Sequence, residues 1–184
     1  MLPRWIAEQG ISAVQRASTV DVFTGVLQEA KEKLERAMDR MCRYAAYKVI
    51  WWDMTKEWQE FLYRWSVDRG RLNVVLQRLD SVLGQLVGSC ADSLSKPLAR
   101  NMLRASVSAY KRVLLDGGAA RWFVVDDVTL LDEDLRKLRA FFEAGGDGLP
   151  RGEIQHETKE LEQIVQVMAL PTAQLEQRLD EVRA

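Results

Sequence analysis

From Asp21 onward, apolar residues recur at intervals of three and four, the period of one face of an α-helix. Phe23, Leu27, Ala30, Leu34, Met38, Met41, Ala45 and Val49 mark the first stripe, with Lys31, Lys33, Glu35, Arg36 and Asp39 mostly outside it. Neither proline nor glycine falls between Gly25 and Gly70. The spacing therefore predicts a long helix that either runs on through the tryptophans or kinks near Asp53. Trp51, Trp58 and Trp65 stand seven apart, with Met54 and Phe61 between them, a heptad-like seam that predicts core rather than a ligand platform.

A third helix is predicted near Arg71 to Leu94, burying Leu72, Leu76, Leu79, Leu83, Leu86 and Cys90. Gly84 and Gly88 on it would let a neighbouring helix approach closely. Pro97 opens the fourth, which carries Leu98, Met102, Ala105, Ala109 and Val113 to the core. The fifth runs from Thr129 to Phe142, with Leu131, Leu135, Leu138 and Phe142 on one face. The sixth starts near Pro150 and carries Ile154, Leu161, Ile164, Val165 and Met168; after Pro171 a short last helix shows Leu175, Leu179 and Val182. Residues 1–20 are weakly patterned, interrupted by Pro3 and Gly10, with Trp5 and Ile6 expected to dock on the bundle. Apart from Phe123 to Val125 there is no strand signal, and no internal repeat. The expectation is an all-α bundle of about six mostly antiparallel helices over residues 21–184.

The turns carry their own chemistry. Asp116-Gly117-Gly118 stops the fourth helix, with Gly117 first and Gly118 second expected at positive φ. Asp126, Asp127 or Thr129 caps the fifth, Thr129 and Asp132 being close to a capping box. Asp132, Glu133 and Asp134 suit its first turn, where the helix dipole favours negative charge. Gly145 and Gly146 end that helix, Gly148 lies in the turn that follows, and Pro150 suits the first turn of the next.

These positions also carry a resemblance. LLDGG (Leu114 to Gly118), TLLDEDL (Thr129 to Leu135) and GDGLPRG (Gly146 to Gly152) are similar, in order and spacing, to the C-terminal signature of the plant Unc-13-like proteins, the segment called the second Munc-homology domain. YAAYKVIWWDM (Tyr44 to Met54) and RLNVVLQRLDSVLGQL (Arg71 to Leu86) resemble the same family upstream, so the likeness covers Asp21 to Leu179. Ala46-Tyr47 departs from the Gly-Thr pair usual in the family, whose members are much longer. The resemblance implies a helical module of rod-shaped tethering-factor type. It implies action in exocytic delivery to the plasma membrane through protein partners of the trafficking machinery, and no enzyme activity.

Composition narrows the alternatives. The 184 residues carry a net charge of −1, which gives no bulk attraction to nucleic acid or membrane. The charge is uneven: Met1 to Gly118 is net +5 and the remainder net −6, which suits two parts that pack together. Cys42 and Cys90 both read as buried thiols of a reducing compartment. No secretory leader or membrane span is legible, so a cytoplasmic protein with at most peripheral membrane contact is expected.

No catalytic, cofactor or metal site is predicted. His156, the single histidine, reads as an exposed helical residue. The Asp147 loop tempts as a calcium site, but Leu149, Arg151 and Thr158 would fall at ligand positions three, five and twelve. The spacing of Gly146, Gly148 and Gly152 is wrong for a dinucleotide loop. One surface feature remains. Lys96, Arg100 and Arg104 recur every four residues and are followed by Lys111 and Arg112, a basic stripe along one side of the fourth helix. It reads as a solvated face, as a pairing surface for the acidic C-terminal helices, or as a docking strip for an acidic helical partner or anionic lipid.

Overall fold

The computed structural model describes residues 13–183. Among them are six α-helices and no strand: α1 (Ala13–Lys48), α2 (Asn73–Ser89), α3 (Asp92–Leu115), α4 (Val128–Glu143), α5 (Arg151–Met168) and α6 (Thr172–Arg183). The all-α expectation holds. Trp5 and Ile6 lie outside the described residues. The chain divides inside α1 into two compact units, one up to Met41 and one from Cys42 onward.

In the first unit the expected core stripe is not core. Phe23, Leu27, Leu34 and Met41 are 59–70% exposed. The helix changes face as it enters the second unit, where Cys42, Ala46, Val49 and Ile50 are buried. Cys42 follows Met41, so it lies about 100° round the helix from it.

Of the two alternatives, the helix does not run on unbroken: its regular geometry stops at Met54, after Asp53. Val49–Asp53 and Lys56–Phe61 are two π turns, and each adds a residue to the local repeat. That slip breaks the seven-residue tryptophan seam. Met54 and Trp58 are buried, Trp51 is half-buried, and Phe61 and Trp65 turn outward, Trp65 to 74% exposure.

The second unit is built round α3, which touches α2, α5 and both π turns. Leu98, Met102, Ala105, Ala109 and Val113 are all buried on it. Pro97 does not open α3 but sits inside it as its sixth residue, where its missing N–H leaves the Ser93 carbonyl without the usual helical donor. Of the expected third-helix residues, Leu72, just before α2, and Val75 and Leu79 on it are buried, while Leu76, Leu83 and Leu86 are only half-buried and Cys90, just past its end, is exposed. An added Cβ at Gly84 or Gly88 would meet no neighbouring atom, so no described helix uses them for close packing.

α4 and α5 form an antiparallel hairpin. Arg139 reaches Thr158 at 2.8 Å and Glu162 at 2.9 Å, while Arg151 reaches back to Glu143. Leu131, Leu135, Leu138 and Phe142 face Ile154, Leu161 and Val165 in one core that also holds Trp58, Tyr63 and Tyr110. Each such side chain, fully buried, stabilises by about 1.5–3 kcal/mol.

Candidate interaction surface

The basic stripe on α3 faces a helix rather than open solvent. Arg100 pairs with Glu153, Arg104 with Glu157 at 2.7 Å, and Lys111 with Glu160 at 3.0 Å. Partner numbers rise together along both helices, so α3 and α5 run parallel, with α4 as the antiparallel return between them. Arg100 holds the Glu153 carboxyl below its ordinary range, first through its hydrogen bonds, against the opposing effect of burial. Arg112 lies over the Trp51 ring at 5.5 Å, and Lys96 is exposed. The stripe is thus largely an internal seam. Arg100, Arg104 and Lys111 are already paired, and membrane or partner capture by them would compete with α5.

A second polar cluster was not singled out by the pattern. Asp132, Glu133 and Asp134 do not occupy the first turn of α4, which starts at Val128 and holds no acid there; Asp134, its seventh residue, is fully buried. Arg71 Nε lies 3.0 Å from both of its oxygens and Nη2 2.6 Å from Oδ1. The Tyr63 hydroxyl donates to Oδ2 at 2.9 Å and the Leu72 backbone N–H does so at 3.0 Å. Tyr110 Oη is 2.6 Å from Tyr63 Oη; since Tyr63 gives its proton to Asp134, Tyr110 is the donor. Burial by itself would raise the Asp134 carboxyl, but Arg71, Leu72 and Tyr63 outweigh it and hold the group below the usual carboxylate range. Burial pushes the Tyr63 hydroxyl well up, reinforced by Tyr110 and Asp134. A carboxylate receiving this many donors is a satisfied anchor rather than a proton donor. It ties the loop after the second π turn to α4. One signal could have found it: Asp134 stands three residues after Leu131, on the apolar face of its helix.

A third tie crosses the same loop. Arg121 donates to four backbone carbonyls: Leu62 at 2.8 Å, Gly117 at 2.7 Å, Trp58 at 3.2 Å and Gln59 at 2.6 Å. Three of these oxygens close the second π turn, which has no helical successor to satisfy them. Burial lowers the guanidinium's pKa, and Arg64 adds to this. Beside it, the Trp65 N–H bonds to Ala120 O at 2.9 Å. Tyr63 and Trp65 both hold positive φ, 56° and 67°, a backbone cost met by these ties. The two strapped loops put Trp65 and Trp122 into solvent at 74% and 78% exposure. A cleft of about 160 Å³ opens next to them, lined by Trp51, Trp58, Arg112, Asp116 and Arg121 among others.

The expected turn residues serve in altered roles. Gly118, not Gly117, has positive φ, at 77°. Gly117 is needed for space, since a Cβ there would strike the Val113 carbonyl and the Arg121 side chain. Ala144, Gly145 and Gly146 all take positive φ, while Gly148 passes too close to the Phe142 carbonyl to carry a side chain. Pro150 is the residue just before α5. Asp127 precedes α4 but makes no side-chain cap bond to it, and Thr129 lies inside the helix, so neither expected cap forms; the Asp127 carboxylate instead accepts from the Val124 N–H at 3.0 Å, closing the short 3-10 turn Val125–Asp127.

A family model described as PATROL1-like, TPR repeats, matches residues 5–184. The chain belongs to the PATROL1-like family. It is also 33% identical to a protein of Arabidopsis thaliana called Protein unc-13 homolog, over 98% of this chain and 17% of that relative. No solved structure matches the chain. The Unc-13-like resemblance read from the motifs is therefore correct. This chain spans a small part of the relative, and its described helices of 36, 17, 24, 16, 18 and 12 residues do not repeat a TPR-like pair of similar helices.

Proposed function

We propose that this PATROL1-like chain is a non-enzymatic helical protein-interaction module, part of an Unc-13-like vesicle tethering or priming activity in exocytic delivery to the plasma membrane. The observation that carries this reading is the family match along nearly the whole chain. The geometry supports it in kind. Apolar side chains that a self-sufficient fold would bury are displayed instead, on α1 and at Trp65 and Trp122, as expected of a surface that meets other proteins. No helix of the described residues is long and apolar enough to cross a membrane, which suits recruitment through contacts at the cytoplasmic face. The partners are proteins of the trafficking machinery, not nucleic acid.

The test is a chimera. In Arabidopsis plants lacking the Unc-13 homolog, that relative is returned with its matching segment replaced by this chain. Delivery of a fluorescent plasma-membrane protein is then followed. Restored delivery is expected. A chimera that accumulates normally yet delivers nothing, beside a relative that does, would overturn the proposal.

A further inference from the structure

The large exposed apolar residues Phe23, Leu27, Leu34 and Met41 of α1 fall on one seam. With exposed Ala30 and half-buried Ala37 they follow one another at alternating intervals of four and three. That is the spacing of the a and d positions of a coiled coil, with Leu27, Leu34 and Met41 at a. In the structure Leu27, Leu34 and Met41 are 63%, 61% and 70% exposed. Cys42 and Ala46, which bury the end of the same helix, lie on a different face and do not use this one.

The charges flanking the seam are of one sign. In this register Lys31, Lys33 and Arg40 occupy the e and g positions, beside the seam. Every acidic residue of the stretch, namely Asp21, Glu29, Glu32, Glu35 and Asp39, falls at b, c or f, away from it. The e and g positions select the partner of a coiled coil. Two copies of this helix packed antiparallel would set Lys33 and Arg40 against cations of the same kind, and two packed parallel would set Lys31 opposite Val26 and Lys33 opposite Met38, so a second copy supplies no carboxylate for these cations. Lys33 and Lys31 do meet Glu29 and Glu35 at 2.7 and 3.9 Å. These are exposed pairs within one helix, which contribute little, and they exchange readily for a partner's carboxylates. The fold already joins a basic helix to an acidic one where α3 meets α5.

We propose that residues 23–41 of α1 bind an amphipathic helix of another polypeptide, one whose apolar seam is flanked by glutamate or aspartate, as the second strand of a coiled coil. This deepens the protein-contact reading above and rests on it, but its test is separate.

The probes are two synthetic four-heptad peptides with leucine at every a and d position, one carrying glutamate and the other lysine at every e and g. Binding to the whole chain is read by fluorescence anisotropy. The glutamate peptide should bind at least tenfold more tightly than the lysine peptide and weaken as salt rises. Leu27→Asp with Leu34→Asp should weaken it at least tenfold while the thermal melt is kept, because both side chains are exposed. The triple change Lys31→Glu, Lys33→Glu, Arg40→Glu should reverse the preference. Equal binding of both peptides would mark a generally sticky face and overturn the proposal, as would binding of neither. A chain that doubles in mass on its own and is made monomeric by Leu34→Asp would assign the seam to a second copy instead. Capture by phosphatidylserine vesicles through the same residues, without the glutamate peptide, would assign it to membrane. If the peptides fail while the Arabidopsis chimera restores delivery, the seam is wrong and the family function stands.

Discussion

At the scale of single residues, Asp134 is where one atom's change should matter most. Asp134→Asn leaves the Arg71 guanidinium without its carboxylate and weakens what Tyr63 and Leu72 donate to. Breaking such a pair from one side costs about 3 kcal/mol or more, to be measured by chemical denaturation. The same group predicts a pH dependence. Its folded value lies below its ordinary one, so the unfolded chain binds the extra proton first as pH falls. The stabilisation is complete above the unfolded carboxylate value of about 3.9 and is lost as pH drops through the folded value. Melting temperature should therefore hold from neutrality to about pH 5 and fall steeply below about pH 4, with the fall shallower in Asp134→Asn. At the first turn, Gly117→Val should destabilise by about 1 kcal/mol or more. The cause is collision with the Val113 carbonyl and Arg121, not left-handed backbone, which belongs to Gly118. An unchanged melt would remove that collision from the account.

At the scale of elements, the α3–α5 seam decides what the basic stripe does. Arg100, Arg104 and Lys111 each face a glutamate of α5, so reversing all three to glutamate sets like charges against one another at three points. Partly exposed pairs are worth some tenths to about 1 kcal/mol each, and the triple reversal should cost about 2 kcal/mol. Adding Glu153→Arg, Glu157→Arg and Glu160→Lys should recover much of that loss. A triple variant that melts like the parent would mean the pairs contribute nothing to stability. The π turns act at the same scale. They slip the helical repeat twice between Val49 and Phe61, with Trp58 buried, and the helix then ends, so Trp65 leaves on a loop although both lie on the same seven-residue ladder.

At the scale of the whole molecule, the two units should differ in stability. Residues 42–168 share one core, whereas the side chains from Asp21 to Arg36 are all exposed. Local opening follows buried contact, so backbone amides from Val22 to Arg40 should exchange with deuterium far faster than those of α3 and α4, as read by mass spectrometry. The glutamate-flanked peptide should slow exchange in that stretch alone. Uniform protection of α1 and α3 in the chain by itself would contradict the division into two units.

What the sequence determined was local. Helix period and glycine and proline punctuation are written in neighbouring residues, so α3, α4 and α5 and their buried faces could be read directly. The family could be read in the same way, because its signature lies in those turns. Periodicity states that a face is apolar, but not what covers it. For that reason the α1 stripe read as core although Phe23 and Leu34 meet solvent. Pairing across 53 residues, as between Arg100 and Glu153, or 63, as between Arg71 and Asp134, depends on how helices come to lie side by side. Charge at each site was visible in the chain. Whether a cation meets water, a partner or its own fold's carboxylate was decided only when α5 closed against α3.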